Sequence, residues 1–214
     1  MKRKSLCIGM GLLVLFIIWT AALRFIDVGA IGPKGSRVGF ATLNQMIHNI
    51  TGVHLSLYVI TDWLGLVPIG VVIGFGILGL CQWIQRRNLL EVDRSLLVLG
   101  GFYMVVIAVY IFFELFVINY RPILINGNLE ASYPSSTTML VTCVMPTAIM
   151  QLQVCIQNSR FRKCVCALIT AFIIFMVIGR LISGVHWFTV IIGGMFLSGS
   201  LVMLYRFVNG LSIR

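Results

Sequence analysis

Five ionisable side chains lie within or beside long apolar stretches of the sequence: Asp62, Glu114, Arg121, Arg180 and His186. A charged side chain at the centre of a membrane-spanning helix costs about 2.5–3.5 kcal/mol on insertion scales, so such residues are rare and usually functional. All five fall at or toward the same end of the spans that we predict below. They are therefore expected to converge on one pocket at the outer membrane face.

The first chemical segment runs from Glu114 to Pro122. If it is helical, Glu114 and Arg121 are nearly two turns apart, so they share a face at a separation of about 10.5 Å along the axis. Pro122 is expected to end that helix. The arginine could bind an anion at the helix end, or it could be an interfacial residue that reaches to water. The segment alone leaves both interpretations open.

The second segment places Pro134 before three hydroxyl residues, Ser135, Ser136 and Thr137, and an apolar run follows. This pattern predicts a helix that starts with a serine N-cap. Free backbone N–H groups at such a terminus bind phosphate well, although plain capping would produce the same pattern.

The third segment runs from Gly179 to Val190. Gly184 permits a sharp turn between the fifth and sixth predicted spans. Arg180 would close one helix, and His186 would precede the next. A lone histidine at a membrane interface is usually structural, but an arginine six residues earlier, across a tight turn, favours a binding or catalytic site.

The elements that must position these residues follow from composition. Of 214 residues, 59% are hydrophobic and 10% are charged, and the mean hydropathy is +1.03. A soluble domain carries about 25% charged residues, so lipid must solvate much of this chain. We predict a single all-α domain over residues 1–214, a polytopic membrane protein with six spans: Cys7–Leu23, Leu57–Ile84, Leu96–Ile118, Ser136–Cys155, Cys164–Ile182 and Trp187–Phe207.

Three features modify this simple topology. The second span is long and contains Pro68, so it should kink or begin as an interfacial helix. The glycine-rich outer segment Arg24–Gly52 should form a loop and then a short helix, around Phe40–Ile50, that lies along the membrane surface. Met1–Leu23 resembles a signal peptide, but its apolar run exceeds the usual signal core, so a retained signal anchor is favoured.

The distribution of basic residues predicts the orientation. The net charge is +10, and the 16 Lys and Arg residues lie in short runs between apolar stretches, as expected for contact with lipid head groups rather than nucleic acid. With the N-terminus inside, eleven of them are cytoplasmic, which places both termini in the cytoplasm. The inner set is Lys2, Arg3, Lys4, Arg86, Arg87, Arg94, Arg160, Arg162, Lys163, Arg206 and Arg214, and the outer set is Arg24, Lys34, Arg37, Arg121 and Arg180.

The six cysteines show no Cys-x-x-Cys spacing, and none lies in a predicted outer loop. We interpret them as small apolar residues or as thiols near the inner surface, and we expect no metal site.

Together, the three chemical segments resemble the type-2 phosphatidic acid phosphatase and vanadium haloperoxidase superfamily, in its integral membrane branch. That family's pattern is Lys-x6-Arg-Pro, then Pro-Ser-Gly-His, then Ser-Arg-x5-His-x3-Asp. This chain keeps the order, with Arg121-Pro122, Pro134-Ser135-Ser136-Thr137 and Gly179-Arg180-x5-His186. The motif region covers residues 114–190, and the six-span layout covers the rest.

The resemblance implies hydrolysis of phosphate esters on lipid substrates at the outer leaflet. His186 would match the nucleophile that forms a phosphohistidine. Arg121 and Arg180 would hold the phosphate oxygens, and Ser135 and the amide of Ser136 would donate further hydrogen bonds. No cofactor or metal is implied, and vanadate should inhibit.

Four departures from the family pattern bear on the chemistry. Glu114 replaces a phosphate-binding lysine, and Thr137 replaces the histidine that acts as general acid. Val190 replaces the aspartate that orients the nucleophilic histidine, and Gly179 replaces a serine. The phosphate-binding groups are therefore better kept than the catalytic ones, and Glu114 or Asp62 could substitute only if the fold brings either near the histidine.

Three hypotheses follow. The favoured one is a phosphatase of lipid phosphates or polyprenyl diphosphates, slowed by its missing groups. The second is a degenerate relative that binds anionic lipid head groups without hydrolysis. The third is a membrane scaffold or transporter, although a transporter more often shows an inverted repeat, and none is evident. We expect the site to face outward from a bacterial plasma membrane.

Overall fold

The computed structural model describes residues 2–210, which fold into eight α-helices joined by loops. The described residues form no β-strand, only three isolated bridges, so the all-α prediction is confirmed. Two short 3-10 turns lie at Pro33–Gly35 and Leu89–Glu91. The helices are α1 (Lys2–Phe25), α2 (Ala41–Thr51), α3 (Leu55–Leu64), α4 (Leu66–Arg86), α5 (Arg94–Leu115), α6 (Ser136–Cys155), α7 (Ser159–Ile182) and α8 (Phe188–Asn209).

Six helical segments in the described part of the chain are long and apolar enough to cross a membrane. They are α1, α3 together with α4, α5, α6, α7 and α8, and each overlaps one predicted span. The chain is an integral membrane protein with six spans. Helix α2 corresponds to the short helix expected around Phe40–Ile50.

Helices α6 and α8 form the centre of the bundle, because most of their side chains are buried, whereas the other spans expose apolar side chains toward lipid. Helix α1 packs along α8 through small residues. The hydroxyl of Ser200 donates to the carbonyl of Gly9 at 2.9 Å. A Cβ atom at Gly9 would lie 3.1 Å from the side chain of Leu204, so glycine permits this close approach.

The two ends of the described chain lie side by side. A Cβ atom at Gly210 would be 3.1 Å from Cε of Lys2, as expected for an even number of spans. Both ends are therefore on one side of the bundle, and the cytoplasmic assignment of that side remains a prediction. Arg214, one of the predicted inner cations, lies outside the described residues. The opposite end of the bundle is called the site end below.

The second span is broken, as predicted, and the break is at Gly65. The N–H of Gly65 donates to the carbonyls of Thr61 and Asp62, at 3.1 and 3.0 Å. Pro68, in the first turn of α4, has no N–H to donate to the carbonyl of Leu64, so the continuous ladder stops here. The short helix α3 is thus a separate segment, and it carries the polar side chains of Tyr58, Thr61 and Asp62 toward the site.

One prediction for the fold was wrong. Helix α5 ends at Leu115 and does not continue to Pro122, so Glu114 and Arg121 do not share a helical face. The following residues form a hairpin-like loop instead, in which the N–H of Arg121 donates to the carbonyl of Glu130 at 3.1 Å.

The tip of this loop explains why the helix could not continue. Ile125 and Asn128 exchange two backbone hydrogen bonds, at 3.1 and 2.9 Å. Between them, Asn126 and Gly127 have φ angles of 50° and 77°. An Asn-Gly pair with positive φ is the preferred sequence of a two-residue hairpin turn, and it competes with helix here.

Candidate active site

Arg180 lies at the site end of α7, buried to 1% exposure, and it joins three helices. Its Nη2 donates to Oδ1 of Asp62 on α3 at 3.0 Å and also to the hydroxyl of Thr137 on α6. Its Nη1 donates to the hydroxyl of Thr61 at 3.4 Å. Asp62 and Thr137 therefore hold this guanidinium in place.

Arg121 approaches the same region from the hairpin loop. Its Nη2 lies 3.2 Å from Oε2 of Glu130, and its Nη1 donates to the hydroxyl of Tyr58 at 3.4 Å. The ring of Tyr58 also connects the two arginines, because its centroid is 5.7 Å from Cζ of Arg121 and 5.0 Å from Cζ of Arg180. Both guanidinium groups thus share one aromatic neighbour on α3.

His186 lies in the short loop between α7 and α8, after a turn at Gly184 with φ of 68°. A Cβ atom at Gly184 would overlap the carbonyl oxygen of Gly52, so only glycine fits there. The imidazole is 4% exposed, and its Nδ1 lies 3.0 Å from the hydroxyl of Ser132. Its Nε2 is buried and has no hydrogen-bond partner among residues 2–210.

The surroundings of His186 control its charge. Burial lowers the pKa of the imidazole well below its usual value, and the positive charges of Arg121 and Arg180 lower this pKa further. The ring is therefore neutral near pH 7. If Nδ1 donates its proton to Ser132, Nε2 carries the lone pair and is available as a nucleophile.

Two hydrogen bonds hold the loops that carry Arg121 and His186 in their relative positions. The indole Nε1 of Trp187, next to His186, donates to the carbonyl of Tyr120, next to Arg121, at 2.9 Å. On α2, the side chain of Asn44 accepts from the N–H of Thr189 at 3.2 Å, which caps the start of α8. Helix α2 therefore anchors the segment that carries His186.

A cavity of about 570 Å³ lies beside Arg121 and His186. It is called the polar cavity below, and Arg121, Ser132, Ser136, His186 and the carboxyl groups of Glu114 and Glu130 line it. A more apolar cavity of about 490 Å³ lies between α4, α5 and α6. The two cavities share three lining residues, Tyr110, Ser136 and Met139, so a ligand could extend from one into the other.

The predicted site residues divide between these features. Arg121, His186, Ser136 and Glu114 line the polar cavity, while Asp62 and Thr137 line the apolar one and hold Arg180. The remaining two predicted residues, Arg180 and Ser135, line neither cavity.

Ser135 is fully buried, and its Oγ accepts from the N–H of Thr138 at 3.5 Å and from the Thr138 hydroxyl at 3.0 Å. The predicted serine N-cap of α6 is confirmed, and capping accounts for this hydroxyl.

Sequence reasoning missed three residues of the site. Ser132 contacts the histidine, Tyr58 joins the arginines, and Glu130 pairs with Arg121. No local signal marks Tyr58 or Ser132, because their importance comes from contacts made across the bundle. The Asn-Gly pair at positions 126 and 127 was a readable hairpin signal, and it would have brought Glu130 opposite Arg121.

Three buried nitrogens of the two arginines and the histidine lack a hydrogen-bond partner among the described residues. They are Nε of Arg121, Nε of Arg180 and Nε2 of His186. Buried polar groups are normally satisfied, so such atoms suggest a ligand. Two guanidinium groups beside a neutral imidazole suit an oxyanion such as phosphate. Within residues 2–210, no three His, Cys, Asp or Glu side chains are grouped to hold a metal ion.

The fold and the site define an all-helical integral membrane protein with a cavity, lined by Arg121, His186 and two glutamates, at one end of a six-span bundle. The structure is similar to the crystal structure of a transmembrane PAP2-type phosphatidylglycerolphosphate phosphatase from Bacillus subtilis, with a TM-score of 0.57 and 20% sequence identity. The match covers 92% of this chain and 94% of that chain.

No protein-family model matches the sequence, and no curated protein does. The structural match shows that the chain has the same fold as that membrane protein.

Proposed function

We propose that this protein is a lipid phosphatase that acts at the outer membrane face through a phosphohistidine on His186. One observation carries the proposal. The buried, neutral imidazole of His186 has an Nε2 atom without a hydrogen-bond partner among the described residues. The Nε atoms of Arg121 and Arg180, whose charges act on that imidazole, also lack a partner there. The similar fold of a membrane phosphatase supports it.

In the first step, Nε2 of His186 attacks phosphorus, so a P–N bond forms and the P–O bond to the leaving group breaks. Arg121 and Arg180 donate to the non-bridging oxygens, where charge is held during transfer. In the second step, water attacks the phosphohistidine, the P–N bond breaks, and phosphate leaves with Nε2 restored.

Ser132 takes the orienting position that an aspartate at position 190 would otherwise fill. Val190 is fully buried in the core and cannot accept a hydrogen bond, whereas the hydroxyl of Ser132 lies 3.0 Å from Nδ1. A neutral hydroxyl fixes the tautomer. It stabilises the positive phosphoimidazolium less than a carboxylate would, because charge-assisted hydrogen bonds are about twice as strong as neutral ones. Turnover should therefore be slow.

The leaving group decides which substrate such a site can use. Thr137 stands at the family's general-acid position, and its hydroxyl instead accepts from Arg180. An alkoxide leaving group needs a proton from an acid. A phosphate leaving group does not, because the second ionisation of a phosphate ester has a pKa of about 6. Hydrolysis of a polyprenyl diphosphate releases a polyprenyl monophosphate as the leaving group. Such a diphosphate is therefore favoured as the substrate over phosphatidic acid.

The apolar cavity supports a lipid substrate. It adjoins the polar cavity at Ser136 and opens between spans α4, α5 and α6. A phosphorylated lipid could place its head group beside the arginines while its chain lies in this groove.

The test is phosphate release by the purified protein in detergent from undecaprenyl diphosphate, phosphatidylglycerolphosphate and phosphatidic acid. We expect the diphosphate to be hydrolysed fastest, vanadate to inhibit, and His186→Ala to reduce release to background. His54→Ala is the matched control, because His54 is exposed and its side chain hydrogen-bonds only with the carbonyl of Thr51 among the described residues. Release that survives His186→Ala would overturn the mechanism.

A binding-only protein is the second candidate, favoured by Thr137 and Val190 at the positions of the acid and the orienting aspartate. In that case wild type and His186→Ala both stay at background for all three substrates, while wild type still binds the lipid phosphate. The same preparation therefore decides between the two functions.

A further inference from the structure

A further cavity with polar lining lies at the site end, and the proposed reaction does not use it. It is a cavity of about 220 Å³ lined by Arg24, Arg37, Gly39 and Asn119, among others, and it is called the Arg24–Arg37 cavity below. It shares no lining residue with the polar cavity.

The strongest sign of a ligand here is Asn119. Its side chain is 4% exposed, yet neither Oδ1 nor Nδ2 has a hydrogen-bond partner among residues 2–210. A buried amide that makes none of its hydrogen bonds is unfavourable, and native structures contain few of them. A ligand that accepts from Nδ2 and donates to Oδ1 would satisfy both atoms.

Two arginines supply positive charge to the same cavity. Arg24, in the last turn of α1, donates from Nη2 to the carbonyl of Val117 at 3.3 Å. Neither Arg24 nor Arg37 forms a salt bridge with any residue that the structure describes. Asp27 is the acidic residue nearest in sequence to Arg24, and its Oδ2 accepts from the N–H of Thr42 at 2.8 Å. Both guanidinium groups can therefore bind an anion.

The cavity is separate from the proposed active site but connected to it. Val117 and Arg121 line the polar cavity, while Asn119 between them lines the Arg24–Arg37 cavity. The backbone carbonyl of Asn119 accepts from the N–H of Ser132 at 3.0 Å, and Ser132 in turn contacts His186. One loop segment thus borders both cavities.

We propose that the Arg24–Arg37 cavity is a second anion site, which binds a phosphate ester that carries a neighbouring hydroxyl. The arginines hold phosphate oxygens, Nδ2 of Asn119 donates to another, and Oδ1 accepts from the hydroxyl. Glycerol phosphate has this chemistry, either as the head group of a lipid or as a free ester. The site does not depend on hydrolysis at His186.

The test uses the full chain with His186→Ala, so that no probe is hydrolysed, and with Arg121→Gln to weaken the proposed active site. Isothermal titration in detergent measures the stoichiometry and Kd for glycerol 1-phosphate and for dihexanoyl phosphatidylglycerol. We expect one remaining site for at least one probe. Arg37→Gln should raise its Kd about tenfold, as expected for loss of a charge-assisted contact. Asn119→Asp should also weaken it, because it places a negative charge in the cavity.

Lys34→Gln is the matched control, since Lys34 is an exposed cation of the same outer segment that does not line the cavity. It should change Kd less than about twofold. Binding of the lipid alone identifies a head-group site, and binding of both probes identifies a site for the phosphate ester itself. The proposal is overturned if no site remains, or if Arg37→Gln and Asn119→Asp leave Kd unchanged.

The proposed function fails on a different result. If the wild-type protein releases no phosphate from any of the three lipids while the second site is still present, hydrolysis is excluded while the anion site stands.

Discussion

The two arginines of the site look equivalent in the sequence, but the structure holds them in different ways. Arg180 is on a helix, is almost fully buried, and is bonded to side chains of α3 and α6. Arg121 is on a loop, is 12% exposed at its side chain, and pairs with Glu130 of the same loop. One is set by the packing of three helices and the other by a hairpin.

This difference separates a rigid part of the site from an adaptable one. The position of Arg180 cannot change without moving α3, α6 or α7. Arg121 can follow a ligand with the hairpin, because fewer contacts with other elements hold its loop. We therefore expect Arg180 to be the fixed reference for the phosphate and Arg121 to close on it.

The largest difference is expected between the two arginine substitutions. Arg180→Gln should lower kcat/KM by about 10²–10³, the usual cost of losing one donor to transition-state charge. It also leaves the Asp62 carboxylate without its partner, beside the phosphate. Arg121→Gln should cost less, because the loop can readjust. Equal losses, measured as phosphate release, would show that the mode of attachment has no consequence.

A smaller effect is expected from the orienting hydroxyl. Ser132→Ala should lower kcat about tenfold and leave KM nearly unchanged, because Ser132 touches the imidazole Nδ1 and fixes its tautomer. Ser56→Ala is the matched control, because Ser56 is exposed and lines neither the polar nor the apolar cavity. A change in KM with kcat unchanged would contradict an orienting role for Ser132.

Substitution of the acidic partner of each arginine should also lower activity to different extents. Asp62→Asn is expected to lower kcat/KM several-fold, because Arg180 loses its one carboxylate contact among the described residues. Glu130→Gln should change it less than about twofold, since Arg121 keeps its Tyr58 contact. Both variants are compared in one phosphate-release assay. A larger loss for Glu130→Gln would reverse our assignment of the rigid part.

The smallest effect is a shift in pH dependence. Burial and then the two arginines lower the pKa of His186, and protonation removes its nucleophilic lone pair. Activity should therefore persist as pH falls below about 6.5, the ordinary histidine value. Arg121→Gln removes one positive charge, so the pKa should rise and the acidic limb of kcat/KM should move to higher pH. An unmoved limb in the residual activity would argue against His186 as the group that titrates.

Much of the fold could be predicted because its signals are local. Each span is an apolar run long enough to cross a bilayer, and the turn at Gly184 and the cap at Ser135 follow from single residues. The prediction failed between Leu115 and Pro122, where helical periodicity was extended through a segment that folds as a hairpin. A two-residue turn signal ten residues downstream outweighed the apolar pattern.

The candidate site divides in the same way. The sequence by itself singled out the residues that we propose to carry the chemistry, because buried charge is so costly that Arg121, Arg180 and His186 stand out in an apolar chain. Only the tertiary structure decided what surrounds them. Ser132 contacts the histidine from 54 positions away, and Asp62 contacts Arg180 from 118 positions away. Such partners depend on how helices cross in space, and local spacing contains no record of that geometry.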